Sequence, residues 1–264
     1  MNNLVIGNTS QLSYYFADNY RKVSGRNFNF QEYENSKWDR VFICIGESKK
    51  FIENINEYYE VNFTITLEFI EFFIIRANKV IIYSTCELWN KNSGQINLST
   101  PFNFYNTPYI ESKYKITKHI IDNGSRYSNV IILFPFNFNS IYRDKNFLFG
   151  KIFNSIINKE TIEIGDTYFY RDIIHPKFVV KESINCESHK IIGSGRLTFV
   201  NDFIRNLYSN YNMNYKEFVK EDKKLFKEYE RFEEYYLKSE FCLYYYNDLL
   251  NDTINDINLK LIDD

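Results

Sequence analysis

The sequence predicts a doubly wound α/β fold: a Rossmann-type parallel sheet followed by a smaller C-terminal α+β lobe. Three observations carry this. Short, continuous apolar runs recur through the first half of the chain. Helical patterns separate them, as right-handed crossovers between parallel strands require. After about residue 140 that rhythm gives way to short strands and aromatic-rich helical segments.

Each element has its own signal. Leu4-Val5-Ile6 is an apolar run ending at Gly7, and a helical pattern follows from about Gln11 to Tyr20. Arg40-Val41-Phe42-Ile43-Cys44-Ile45 is a second buried run, stopping at Gly46. Glu57 to Ala77 reads as a long helix, with apolar residues at Val61, Ile65, Phe69, Phe72 and Phe73. Lys79 to Tyr83 is a third run, residues 108–122 form a helix, and Asn129 to Phe134 is a fourth run. The stretch from Gly7 to the Val41–Ile45 run is short, so the adenine-side half of the sheet is expected to be trimmed. Beyond it, Phe147 to Asn158 reads as a helix, and Thr161 to Ile164 and Phe169 to Ile174 as strands. Lys190-Ile191-Ile192 precedes Gly193-Ser194-Gly195, and from Asn201 onward the chain is mostly helical. The expected division is 1–140 for the sheet domain and 141–264 for the smaller lobe, with the chain free to cross between them.

Composition excludes several function classes. Net charge is −2, from 32 basic and 34 acidic residues, so no broad basic field recruits nucleic acid or anionic membrane. The aromatic residues are spread along the whole chain and form no clustered stacking platform. The longest apolar run, around Val80 to Tyr83, is far too short to span a bilayer. No basic stretch leads from Met1-Asn2-Asn3 into an apolar segment, which predicts a cytoplasmic location. Cys44, Cys86, Cys186 and Cys242 include no CxxC pair and read as reduced thiols. His119, His175 and His189 stand singly, outside any ligand-spaced cluster, so no metal is expected.

In a doubly wound fold, ligands bind beyond the carboxyl ends of the strands, and the chemistry-bearing residues fall there. Gly7-Asn8-Thr9-Ser10-Gln11-Leu12-Ser13 follows the first run. A dinucleotide fold needs a tight turn at that point, so that pyrophosphate approaches backbone N–H groups; three glycines usually supply it. Here Gly7 stands with Ser10 and Ser13, and an ordinary strand–helix turn has much the same requirement. Ser24-Gly25-Arg26 falls where an adenosine ribose would be read, and a basic residue there accommodates a 2′-phosphate; a solvated turn is the alternative. Tyr109 and Lys113 are spaced i and i+4, on one helix face, and Ser84-Thr85 lies 24 residues upstream of Tyr109 at a strand end. Hydride transfer at a sugar carbon needs a proton to move on the attached oxygen. A tyrosine hydroxyl moves it when a nearby ammonium lowers its pKa, and a serine or threonine hydroxyl holds the same oxygen.

With these landmarks the chain resembles the extended short-chain dehydrogenase/reductases, the nucleotide-sugar epimerase, dehydratase and reductase group. "YSTCELWN" (83–90) is similar to the family's Ser/Thr strand end, "TPFNFYNTPYIESK" (100–113) to its T-P-F…S-P-Y…K segment, and "PFNF" (135–138) to R-P-x-N. "RDIIH" (171–175) resembles R-D-F-I-H, "IGSGRLTFVNDF" (192–203) resembles the late I-G-S-G segment, and Asn62 matches the asparagine often found in the long helix.

The resemblance implies the roles. Thr85, with Ser84, would hold the substrate oxygen, Tyr109 would be the acid/base, and Lys113 would bind the nicotinamide ribose and tune Tyr109. Gly7, Ser10, Gln11, Leu12, Ser24, Arg26, Gly46 and Pro135 would line the cofactor. Asn137 would sit near the cofactor and the sugar, and Arg171 would meet the diphosphate, a bidentate match for its guanidinium, unless it pairs with Asp172. Glu87 matches the base of sugar dehydratases. Cys86 matches the cysteine of GDP-fucose synthases, whose partner histidine is replaced here by Tyr142 and Arg143; a small buried residue is the alternative. The Gln11-Leu12 pair and the compact length resemble keto-sugar reductases. The expectation is an NAD(P)-dependent oxidoreductase of surface-polysaccharide sugar biosynthesis, using NADP(H) ahead of NAD(H) on a nucleotide-diphosphate sugar. It leans to 4-keto reduction, as a homodimer. A 4,6-dehydratase or epimerase with retained NAD, and a non-catalytic dinucleotide sensor or scaffold, are the alternatives.

Overall fold

The computed structural model describes residues 2–48, 54–225, 237–240 and 242–263. The apolar runs form one parallel sheet: β1 (Asn3–Ile6), β2 (Arg21–Val23), β3 (Trp38–Ile43), β4 (Ala77–Tyr83), β6 (Val130–Pro135) and β11 (Lys190–Ile192), numbered along the whole chain. Their order is β11-β6-β4-β3-β1-β2, with every neighbouring pair parallel. The centre of the sheet is buried on both faces, which is why Val80-Ile81-Ile82 and Val130-Ile131-Ile132-Leu133 read as unbroken apolar runs. The order reverses at β1, flanked by β2 on one side and β3 on the other. The crevice beyond the carboxyl ends of β1 and β3 is where this fold places a ligand.

The sheet, with α1 (Asn56–Tyr59), α2 (Thr66–Phe73) and α3 (Pro108–Asp122), lies in a unit made of Met1–Trp89, Pro101–Pro135 and Val179–Ile192. α1 continues into α2 through a π-helical stretch, Glu60–Ile65. Thr66 Oγ1 donates to the carbonyl of Val61 at 2.8 Å, five residues back, closing that wide turn. The expected long helix to Ala77 therefore has a π insertion and stops at Phe73, because Ala77 already opens β4.

The helix expected over Gln11–Tyr20 does not form. Only a 3-10 turn, Ser13–Tyr15, stands there. The Ser13 hydroxyl donates to the carbonyls of Gly7 at 2.8 Å and Ser10 at 2.7 Å. Such side-chain bonds compete with a helical ladder. Phe16 and Tyr20 then pack their rings on Phe42, with centroids 4.7 and 6.0 Å away. The connection from β2 to β3 is likewise a 3-10 turn, Phe30–Tyr33. Phe28 and Phe30 lie against Phe69 of α2 at 5.0 and 5.2 Å. Aromatic rings thus cover apolar surface that crossover helices would otherwise cover, and the sheet ends at β2, the trimming expected from the short stretch.

A second unit comprises Asn90–Thr100, Phe136–Phe178 and Gly193–Asp264. Its strands pair two by two. β7 (Asn137–Phe138) runs parallel to β10 (Ile173–Ile174), β8 (Ile162–Ile164) to β13 (Val219–Glu221), and β5 (Gly94–Gln95) to β14 (Leu237–Lys238). β9 (Tyr170–Arg171) and β12 (Thr198–Phe199) are antiparallel. The helices are α4 (Leu148–Asn158), α6 (Val200–Asn210), α7 (Tyr215–Phe218) and α8 (Tyr246–Asp263), and α5 (Pro176–Ile184) begins here. α8 is held by buried polar contacts: Asn139 Nδ2 donates to Thr253 Oγ1 at 2.7 Å, and His175 Nε2 meets Asp256 Oδ2 at 3.0 Å.

Candidate active site

α3 carries the site's helical residues. Thr107, extended at φ −126°, accepts the N–H of Ile110 on its hydroxyl at 3.3 Å, and Pro108 follows at the first helical position. Both residues favour a helix start. That start sets Tyr109 and Lys113 one turn apart. Lys113 points inward with Ile110, Ser112, Ile116 and Thr117, while Tyr109 stays half-buried with its ring edge-on to Tyr58 at 6.2 Å.

The Lys113 ammonium donates to the carbonyl of Tyr83 at 3.0 Å, its one hydrogen bond among the described residues. Burial lowers its pKa from 10.5 to about 8. Tyr83 ends β4, and Ser84 and Thr85 follow, both buried. The hydroxyls of Ser84 and Thr117 are 2.8 Å apart, which ties this strand end to α3. Thr85 Oγ1 accepts the N–H of Glu87 at 3.2 Å. Cys86 and Glu87 sit in a 3-10 turn, Cys86–Trp89, where Cys86 is buried and Glu87 half-buried.

The loop leaving β3 reaches the same place. A Cβ on Gly46 would stand 3.2 Å from Lys113 Nζ and 3.3 Å from Asn62 Oδ1. Asn62 is wholly buried. Its Oδ1 accepts from Glu47 N at 2.9 Å, and its Nδ2 donates at 3.0 Å to both Glu47 O and Ser112 Oγ. Asn62 therefore pins the Gly46-Glu47 loop to α3. Resemblance alone had singled out Asn62, and Ser112 was missed. The available signal was polarity: both are small polar residues on otherwise apolar helix faces.

At the end of β1, Gly7 has φ +99°, and a Cβ there would stand 3.1 Å from the backbone C and O of Cys44. Only glycine meets both conditions without strain. Ser10 N–H donates back to Gly7 O at 2.9 Å, Leu12 is buried, and the Gln11 amide oxygen is buried without a partner among the described residues. Ser24 and Arg26 follow β2 directly. Arg26 N–H donates to Ser24 Oγ at 3.2 Å, while its exposed guanidinium has no partner among the described residues. Pro135 ends β6.

Gly7, Ser10, Gln11, Leu12, Ser24, Arg26, Gly46, Ser84, Thr85, Cys86, Glu87, Tyr109, Lys113 and Pro135 all belong to the first unit. An ammonium that is buried and under-bonded among the described residues, beside a glycine loop, and a cation past β2 that is free among them, are groups that a ribose and a phosphate would satisfy. The residues fit a nicotinamide dinucleotide at those two ends. At its pyrophosphate they offer a turn without a helix.

Asn137 and Arg171 belong to the second unit. Asn137 is exposed on β7. Arg171 Nη1 donates to Tyr170 O at 2.7 Å, with the guanidinium 4.6 Å from the Phe169 ring centroid. Asp172, the alternative partner of Arg171, is wholly buried. Its Oδ1 accepts the N–H of Ser194 at 2.8 Å and its hydroxyl at 2.7 Å. Its Oδ2 accepts Gly195 N at 2.9 Å, Ser239 N at 3.0 Å and Ser239 Oγ at 3.1 Å. Among the described residues no group of three or more His, Cys, Asp or Glu is placed to hold a metal ion, and no helix is long and apolar enough to cross a membrane.

Solved structures of the same fold cover nearly the whole chain. MoeE5 in complex with UDP-glucuronic acid and NAD is 13% identical, with a TM-score of 0.78 over 99% of this chain and 100% of that one. UDP-glucuronic acid 4-epimerase from Bacillus cereus, in complex with NAD, is 12% identical with a TM-score of 0.76 over 98% and 96%. RMD from Pseudomonas aeruginosa, complexed with NADPH, is 12% identical with a TM-score of 0.76 over 98% and 100%. No curated protein sequence matches the chain. The model of the NAD dependent epimerase/dehydratase family matches residues 23–181, which span β2 to α5 and include the strand end at Thr85 and the Tyr109–Lys113 helix. With that match over more than half of its length, the chain belongs to the NAD dependent epimerase/dehydratase family, enzymes of the extended short-chain dehydrogenase/reductase type.

Proposed function

We propose that the chain reduces a keto group on a nucleotide-diphosphate sugar, with NADPH as the reductant. The observation that carries this reading is the buried, singly bonded Lys113 one helical turn from Tyr109. A bound nicotinamide supplies the hydride. Tyr109 delivers the proton to the carbonyl oxygen as it becomes a hydroxyl, and Thr85 holds that oxygen by its own hydroxyl. Lys113 binds the nicotinamide ribose, and its charge eases proton release from Tyr109. Gly46 leaves room for the ribose, and Asn62 keeps the loop in place. Arg26 and Ser24 take the 2′-phosphate, which favours NADP(H) over NAD(H). The roles of Arg171, for a diphosphate, and Asn137, for a sugar, rest on the resemblance of their motifs.

Glu87 supports a second reading. Half-buried, with its N–H on Thr85 Oγ1, it would serve a 4,6-dehydratase as the base that removes a proton beside the keto carbon. The burial of Cys86 favours its reading as a small packed residue over a role in epimerisation. A homodimer through the helical run from Asn56 and α3 is part of the same proposal; a monomeric mass by light scattering at micromolar concentration counts against it.

The test incubates the protein with NADPH and UDP-, GDP- or dTDP-linked 4-keto sugars, following nicotinamide absorbance. Oxidation of NADPH that falls on the order of 10²- to 10⁴-fold in Tyr109→Phe supports the reductase. Formation of a keto sugar from an unmodified nucleotide sugar with added NAD, lost in Glu87→Gln, moves the dehydratase forward. Activity indifferent to Tyr109→Phe removes Tyr109 from the mechanism.

A further inference from the structure

We infer that the dinucleotide is a dissociable cosubstrate of this chain, gripped at its two ends and not at its pyrophosphate; this rests on the oxidoreductase reading above. In a doubly wound fold the helix after the first strand turns its free N–H groups and positive end towards the pyrophosphate. In this chain a single 3-10 turn, Ser13–Tyr15, takes that position. Several N–H groups of this segment are spent on local carbonyls: Ser10 donates to Gly7 O at 2.9 Å, Ser13 to Ser10 O at 3.1 Å and Tyr15 to Leu12 O at 3.0 Å. Gly7 and Asn8 both donate to Val23 O, at 2.8 and 3.0 Å. A turn this short has no macrodipole to offer an anion.

The adenine end is also reduced. The sheet stops at β2, and the β2–β3 connection is the Phe30–Tyr33 turn, so no further strand walls the base. The cations left for binding stand at the extremes. Lys113 is buried with a single acceptor, beside a glycine that a Cβ would crowd. Arg26 is a cation without a partner among the described residues, next to the Ser24 hydroxyl. Losing the helix end weakens pyrophosphate binding on the order of 10-fold relative to a chain that has it. A cofactor held in this way exchanges between turnovers. Net reduction needs that exchange, because the oxidised form must leave. A reaction that returns the hydride to the same sugar does not.

The closing experiment has two parts. First, the full chain is purified, denatured, and the supernatant assayed for NAD(H) and NADP(H); a substoichiometric amount is expected. Second, the chain is titrated calorimetrically with NADPH, NADH, adenosine 2′,5′-bisphosphate and ADP. Reversible NADPH binding is expected, with the 2′,5′-bisphosphate bound on the order of 10-fold more tightly than ADP, and that preference lost in Arg26→Ala. Dinucleotide retained in stoichiometric amount through purification overturns the inference and leaves the oxidoreductase reading standing. ADP bound as tightly as the 2′,5′-bisphosphate also overturns it, by returning the grip to the pyrophosphate. Binding of neither NADPH nor NADH overturns the oxidoreductase reading, and the inference with it.

Discussion

The ammonium of Lys113 rests on the carbonyl oxygen of Tyr83 at 3.0 Å, and this one bond among the described residues serves a charge the fold has taken out of water. A lysine carries three donors, so two await a partner. The ribose of a dinucleotide offers hydroxyls to meet them. Without a ligand the buried charge is a cost, which burial registers by lowering its pKa from 10.5 to about 8.

That cost predicts opposed effects of Lys113→Met. The shift corresponds to roughly 3 kcal/mol of unfavourable charge burial, and the loss of the Tyr83 hydrogen bond returns part of it. The variant is expected to unfold with a stability raised by about 1–2 kcal/mol while NADPH binding and turnover are lost. Thermal melts and fluorescence titrations measure both. A melting temperature below that of the parent protein would sink the idea.

The same group predicts a pH dependence. In the folded chain Lys113 sheds its proton near pH 8, whereas in the unfolded chain it does so near 10.5. Between those values the unfolded state binds more protons, so the contribution of Lys113 to stability rises with pH. The cation proposed to meet the ribose disappears over the same window. NADPH affinity is therefore expected to fall above about pH 8 as this component of stability grows. Titrations and urea melts from neutral to alkaline pH read both trends, with Lys113→Met as the control that shows neither.

Asn62 and Ser112 are expected to differ in weight. Asn62→Leu strands the N–H and C=O of Glu47 and costs about 3 kcal/mol, with weaker NADPH binding as the Gly46-Glu47 loop loosens. Ser112→Ala removes one bond to Asn62 and costs about 1 kcal/mol. Chemical denaturation ranks them; equal losses would show that the loop is held by something else.

Asp172 organises the second unit. Asp172→Asn puts an amide NH2 against donors that now meet a carboxylate oxygen, and is expected to cost about 2–4 kcal/mol. Gly193→Ala acts on the same cluster, because its Cβ would stand 2.5 Å from Ser239 Oγ and 2.8 Å from Asp172 Oδ2. It is expected to cost about 1–3 kcal/mol. The two variants share partners, so their combined effect should be less than additive. Additive losses in urea denaturation would mean that they disturb separate contacts.

The sequence by itself determined the sheet and the principal helix of the site. Strands buried on both faces must be apolar throughout, so Val41–Ile43, Val80–Ile82 and Val130–Phe134 were legible as runs. Thr107-Pro108 marks the start of α3, and helical periodicity alone puts Tyr109 and Lys113 on neighbouring turns. The tertiary structure decided what depended on distant partners. Residues 11–20 carry a helical pattern, yet the Ser13 hydroxyl closes on Gly7 and Phe16 packs on Phe42, so the first crossover is a 3-10 turn. Asp172 gathers Ser194, Gly195 and Ser239 from far along the chain, where Arg171 had been a candidate partner. The lowered pKa of Lys113 depends on how completely its neighbours exclude water. Periodicity and capping are local and can be read from neighbouring residues, whereas desolvation and long-range hydrogen bonding exist only once the chain has folded back on itself.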